Sequence, residues 1–152
     1  MSVAFSPDGK RLFIGALNNN GGGGVVFVYR RLGSAYSYRS WFHAPNDDDD
    51  PNDFFGLNGL STAMVEIDGK ERMALSVGAA LGFGGSGNAY VYECSDTCQL
   101  RISLNDGAGF GGTFAVSPLF SFLNADRVYA LLYSRTGIVH CISGDGFKPC
   151  HF

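Results

Sequence analysis

The sequence predicts an all-β fold. Helical periodicity is hard to find anywhere in the 152 residues, while short β-branched and aromatic runs recur throughout. These runs are separated by Gly, Asp, Asn and Pro, the residues whose backbone preferences make turns, and 22 Gly are available for that purpose.

In chain order, Ser2–Phe5 is a short first strand, followed by Asp8-Gly9, a pair that tolerates φ > 0 and suits a tight hairpin. Arg11–Ala16, Val25–Arg30 and Tyr36–Phe42 follow as strands because each is rich in β-branched or aromatic residues. Leu60–Glu66 and Arg72–Ala79 flank a second turn pair, Asp68-Gly69. Asn88–Glu93, Gln99–Ser103, Thr113–Phe120, Arg127–Tyr133 and Ile138–Ser143 complete the set.

Composition limits the function classes. A chain with 45% hydrophobic and 16% charged residues lies far from the signature of disorder. Net charge −3 with singly scattered Lys and Arg lacks the basic footprint that nucleic acid or anionic lipid requires, so neither is an expected partner. No apolar run reaches the ~18 residues of a membrane span, and Met1 leads into Ser2-Val3-Ala4-Phe5 without a basic n-region and apolar h-region. Neither membrane insertion nor a signal peptide is predicted.

The strands repeat as groups. Gly15-Ala16 returns as Gly78-Ala79, and Gly24-Val25-Val26-Phe27-Val28-Tyr29 returns as Gly87-Asn88-Ala89-Tyr90-Val91-Tyr92, 63 positions on in both cases (15 to 78 and 24 to 87). Asp8-Gly9-Lys10 returns as Asp68-Gly69-Lys70, and Phe55-Gly56 as Phe110-Gly111. A third, more worn strand pair is Val128–Tyr133 with Gly137-Ile138-Val139-His140. The expectation is one domain, 1–152, of about three four-stranded antiparallel blades over 1–53, 54–109 and 110–152, a partial β-propeller.

Phe55-Gly56, Ser61-Thr62-Ala63, Asp68-Gly69, Leu75-Ser76-Val77-Gly78-Ala79 and Gly87–Tyr92 resemble the FG-GAP repeat of integrin α-subunit-like β-propellers. The resemblance implies an extracellular, non-enzymatic adhesion or protein-interaction module. The family's acidic calcium loop has no counterpart, only Pro7-Asp8-Gly9 and Ile67-Asp68-Gly69 standing in its place, so no cofactor is implied. Ser6-Pro7-Asp8-Gly9-Lys10-Arg11-Leu12 also resembles a turn of WD- or YVTN-type propellers, ranked second.

Four cysteines fall in two close pairs, Cys94 with Cys98 and Cys141 with Cys150. Two local disulfides are the favoured use, and they point to an oxidising, extracellular compartment. Free buried thiols are one alternative. Zinc held by His140-Cys141 and Cys150-His151 is another, but ligands adjacent on a strand point to opposite faces. No Asn-x-Ser/Thr sequon is present to support secretion through glycosylation.

The remaining constellations have bland readings. The Gly-rich stretches Gly21–Gly24 and Gly82–Gly87 lead into strands, where a phosphate cradle needs a helix N-terminus. Asp47–Asp50 is dense in oxygen ligands but lacks the alternation and Gly of a calcium loop, and reads as a solvated connection. His43, His140 and His151 sit in no catalytic motif, and the separation that would make Asp96 with Asp106 or Glu66 with Asp68 a glycosidase pair is not readable from sequence. No catalytic or metal residues are predicted and an enzyme is not expected.

The candidate interaction surface is the aromatic strand Tyr36, Tyr38, Arg39, Trp41 and Phe42, because Tyr, Trp and Arg dominate interface hot spots. The competing use is packing between units. Partners are expected to be proteins. Three units cannot close a ring that takes ~4–8, and the first unit starts at Ser2 without a Phe-Gly of its own, so a homo-oligomer, a filament or a longer polypeptide is expected. The alternative from a different class is a carbohydrate-binding, lectin-like or carbohydrate-active protein.

Overall fold

The computed structural model describes residues 1–17, 23–45, 55–57, 59–67, 70–79, 88–104, 131–133, 139–143 and 146–149. Among them lie eleven strands: β1 Ser2–Phe5, β2 Arg11–Leu17, β3 Gly24–Leu32, β4 Ala35–Phe42, β5 Leu60–Ile67, β6 Lys70–Ala79, β7 Asn88–Cys94, β8 Cys98–Leu104, β9 Leu131–Tyr133, β10 Val139–Ser143 and β11 Gly146–Pro149. They form two four-stranded antiparallel meanders, β1-β2-β3-β4 and β5-β6-β7-β8, and a three-stranded sheet β11-β10-β9.

The first hairpin shows how the sequence closes a meander. Gly9 takes φ 65°, a left-handed conformation costly for any residue with a Cβ. The buried Ser6 hydroxyl donates to Asp8 Oδ1 at 2.6 Å and accepts from the Arg11 N–H at 2.8 Å, and the Lys10 N–H donates to Asp8 Oδ1 at 3.0 Å. These bonds draw the Asp8 carboxyl below its ordinary value, the Ser6 hydroxyl contributing most.

Each strand alternates its faces, and the register sorts them. On the first sheet, Phe13 pairs with Val28 and Gly15 with Val26, and this face is buried. On the second sheet, Val77 pairs with Tyr90 and Leu75 with Tyr92. Phe13, Val26, Val28, Phe55, Met73, Leu75, Val77, Tyr90 and Tyr92 belong to one core between the two sheets. The Phe55 ring is fully buried there, edge-on to Tyr90 at 5.5 Å.

The Phe55-Gly56 turn seats this core on glycine. A Cβ at Gly15 would lie 1.8 Å from the Gly56 carbonyl oxygen and one at Gly24 would lie 2.0 Å from that of Phe55. Only a residue without a side chain allows this approach. Gly56 N–H in turn donates to the Gly78 carbonyl at 2.8 Å, and the Ser2 and Thr62 hydroxyls donate to the Gly56 and Phe5 carbonyls.

Two expectations are corrected. The array of three four-stranded antiparallel blades, a partial β-propeller, gives way to two four-stranded sheets and a three-stranded one. Gly146–Pro149 pairs as a strand where none is expected, and the strand expected over 113–120 lies outside the described residues. The physical reason is that recurring hairpin and glycine chemistry specifies local pairing, which is common to many antiparallel folds. It specifies neither the number of strands in each sheet nor a radial arrangement.

Candidate functional site

Among the described residues, the strand β4 lies at the outer edge of the first sheet, paired with β3. Strict alternation would place Trp41 with Arg39, on the opposite face from Tyr38. A bulge prevents this. The register runs Tyr29 to Tyr38, Val28 to Ser40 and Phe27 to Trp41, so Arg39 is the extra residue. Because Phe27 and Tyr29 share a face, Tyr38 and Trp41 share it too, and Phe42 turns to the other side.

The five residues singled out from the sequence therefore divide. Tyr38 and Trp41 stand 52% and 53% exposed on the face away from the core. Tyr36 is half-buried on the same side; its hydroxyl donates to the Gly9 carbonyl at 2.7 Å and its ring meets Phe5 at 5.8 Å. Arg39 is exposed at the bulge. Phe42 packs into the core, 4.8 Å from Tyr92 and 5.8 Å from Phe55.

Neighbouring rings hold the exposed pair in place. Tyr38 contacts Tyr29 at 5.9 Å and Phe27 at 6.4 Å, both edge-on, and Trp41 lies 5.5 Å from the His43 ring. His43 Nδ1 is 3.1 Å from the Ala44 carbonyl oxygen. Edge-to-face contacts of this kind add about 0.5–1.5 kcal/mol each beyond area burial and fix ring orientation. Phe27, Tyr29 and His43 were not singled out from the sequence; the β3 alternation was visible, but the bulge that brings it under Trp41 was not.

Cys94 and Cys98 are joined by a disulfide across the β7–β8 turn. Cys141 lies on β10, whereas Cys150 falls outside the described residues, as do Asp47–Asp50, Asp68-Gly69, Gly82–Gly87, Asp106 and His151. Among the described residues, no three His, Cys, Asp or Glu side chains gather as a metal site, and no helix is long and apolar enough to cross a membrane. Glu93 is flanked by Arg101, whose Nε donates at 2.8 Å, and by Arg72 at 3.4 Å. That cluster is an ion pair satisfied within the second sheet.

No family model matches this chain, and no curated protein matches it. Among solved structures it is similar to a fucose lectin from Kordia zhangzhouensis in complex with methyl-fucoside, with 14% identity over 99% of this chain and 96% of that chain and a TM-score of 0.46. The FG-GAP resemblance is corrected accordingly: its motifs are not matched as a family, and the sheets they occupy are not three equal four-stranded blades. The integrin-like adhesion module inferred from it falls with it.

Proposed function

We propose that this chain, acting as one domain over 1–152, is a non-catalytic carbohydrate-binding module that works outside the cytoplasm. The observation that carries the reading is the pair of half-exposed rings, Tyr38 and Trp41, held on one face of an edge strand by Phe27, Tyr29 and His43. A pyranose ring presents a flat patch of C–H bonds that covers such a ring, while its hydroxyls need polar groups nearby. The Tyr38 hydroxyl and the His43 imidazole, whose ring lies 5.5 Å from that of Trp41, supply these. Rings held in place before the ligand arrives lose little freedom on binding, which favours a rigid, hydroxylated ligand over a flexible peptide. The Cys94–Cys98 disulfide supports the compartment, since such bonds persist where the environment is oxidising.

A glycan array and a glycoside hydrolysis assay on the intact protein test this together. Binding without turnover is expected, and Trp41→Ala is expected to weaken it by at least about 30-fold, roughly the 2 kcal/mol of a hot-spot aromatic. Hydrolysis of a bound glycan, or binding indifferent to Trp41, refutes the reading.

A further inference from the structure

The two four-stranded sheets repeat one register, and at one corner the repeat reverses a charge without compensating it. Leu12 opposes Tyr29 as Leu75 opposes Tyr92, so Arg30 on β3 holds the position of Glu93 on β7. The bulges correspond as well, between Val28 and Tyr29 and between Val91 and Tyr92. Arg39, the inserted residue of β4, therefore holds the position of Arg101, the inserted residue of β8.

In the second sheet this corner carries its own anion. The Arg101 guanidinium donates through Nε and Nη2 to Glu93 Oε2, and Arg72 Nη1 stands 3.4 Å from Oε1. In the first sheet the bulge arginine is kept and the carboxylate is replaced by Arg30. Arg30 is directly opposed by Arg11 on β2 and by Ser37 on β4, which places these three residues on one face. Like charges directly opposite across two strands repel. A swap of partners would have made position 39 acidic, and it did not.

Nothing described in the chain neutralises this corner. Among the described residues, no carboxylate forms an ion pair with Arg11, Arg30 or Arg39. Asp8 feels the charge of Arg11, but its oxygens are engaged by Ser6 and Lys10. Arg30 and Arg39 are exposed and Arg11 is half-buried, so a ligand from solvent reaches them.

We infer that Arg11, Arg30 and Arg39, with the Ser37 hydroxyl, form a site for an external anion, the sulfate or carboxylate group of an acidic saccharide. The second sheet displays the chemistry internally: a bulge arginine grips a carboxylate oxygen through two N–H groups. In the first sheet that oxygen has to come from outside. A guanidinium suits both groups because its planar fork matches paired oxygens. The saccharide as carrier rests on the carbohydrate-binding reading above, whereas the anion site does not. Tyr38 and Trp41 stand on the other face of the same edge strand, so a saccharide lying across that edge reaches rings and arginines together.

Thermal unfolding of the intact chain in sodium sulfate, against sodium chloride at equal ionic strength, tests the site. Sulfate also stabilises proteins by exclusion from their surface, so the readout is the difference between wild type and variants. Sulfate is expected to raise the wild-type Tm by about 2–4 °C more than that of Arg39→Gln or of Arg30→Glu, which rebuilds the second sheet's ion pair in the first. A wild type that gains no more than either variant overturns the inference, as would follow if the chain's own Asp47–Asp50 run neutralised the arginines. The carrier is tested on a glycan array that pairs each sulfated or uronic-acid glycan with its neutral counterpart. The wild type is expected to bind acidic members about 10-fold tighter at low salt, and both variants to lose that preference while keeping Trp41-dependent binding of neutral members. Equal binding of acidic and neutral members by the wild type overturns the saccharide assignment. If no glycan binds while the sulfate difference persists, the carbohydrate-binding reading fails and the anion site stands.

Discussion

The first and second sheets are built to one register and live in different surroundings. Both are four-stranded meanders, both carry a bulge at the matching step, and both set a glycine, Gly15 or Gly78, against the Phe55–Gly59 turn region. The second is buried on both faces of β6; the first is buried on one. Their outer strands differ in kind as well. β8 offers Leu100 and Ser103 where β4 offers Tyr38 and Trp41, and the positions matching Glu93 and Arg101 are Arg30 and Arg39, so the second sheet's internal ion pair has no counterpart. Shared register therefore fixes the scaffold, and the departures from it fall on the exposed outer strand, where the proposed carbohydrate-binding rings stand.

The largest effect that separates the sheets lies at matched leucines. Leu75 is fully buried, so Leu75→Ala is expected to cost about 2–5 kcal/mol through lost transfer energy and a residual cavity. Leu12 holds the equivalent position at the open face, and Leu12→Ala should cost less than about 2 kcal/mol in dilute solution, where water already reaches the site. Urea denaturation of both variants checks this. Equal losses would mean that the two faces are not differently covered.

How much of this was legible in the sequence depends on the range of the interaction. The strands were legible because β-branched alternation and Asp8-Gly9 act within a few residues, and the 63-residue recurrence correctly paired Gly15 with Gly78 and Tyr29 with Tyr92. The architecture was not, because nothing local in a hairpin says how many strands join it or which sheet it meets. The strand β4 shows both sides. Tyr38 and Trp41 are candidates by residue type, yet their shared face depends on one inserted residue, Arg39, whose bulge arises only from pairing with β3. Phe42 was grouped with them for the same reason, and the same bulge sends it to the core.

A middle-sized difference separates the third-to-fourth strand hairpins. The second sheet closes its turn covalently, through Cys94 and Cys98 four positions apart. The first uses Gly33 at φ 63°, with the Arg31 Nε donating to the Gly33 carbonyl at 2.9 Å. Constraining so short a loop in the unfolded chain is worth about 2 kcal/mol on the chain-entropy account. Cys98→Ser is expected to lower stability by that order, with loss of hydrogen-exchange protection concentrated in β7 and β8 and none in β3 and β4. Loss spread evenly over both sheets would show that they unfold as one unit.

The smallest effect concerns the turn at Asp8, and its sign follows from the direction of the carboxyl's shift. Asp8 accepts from the Ser6 hydroxyl and the Lys10 N–H, and Lys10 Nζ stands 3.6 Å from its other oxygen, so the folded state favours the ionised form. A carboxyl whose folded pKa is lowered contributes stability that is fully present above its unfolded value of 3.8 and is lost as pH falls through the lower folded value. The group is largely solvent-exposed, which screens the contribution, and less than about 1 kcal/mol is expected. Asp8→Ala should therefore be slightly less stable than the wild type at neutral pH, and the two stability curves should converge once the pH drops below the ordinary carboxylate range. A gap between them that stays constant down to acid pH would assign the loss to turn geometry and leave the charge of Asp8 no part in holding the first hairpin.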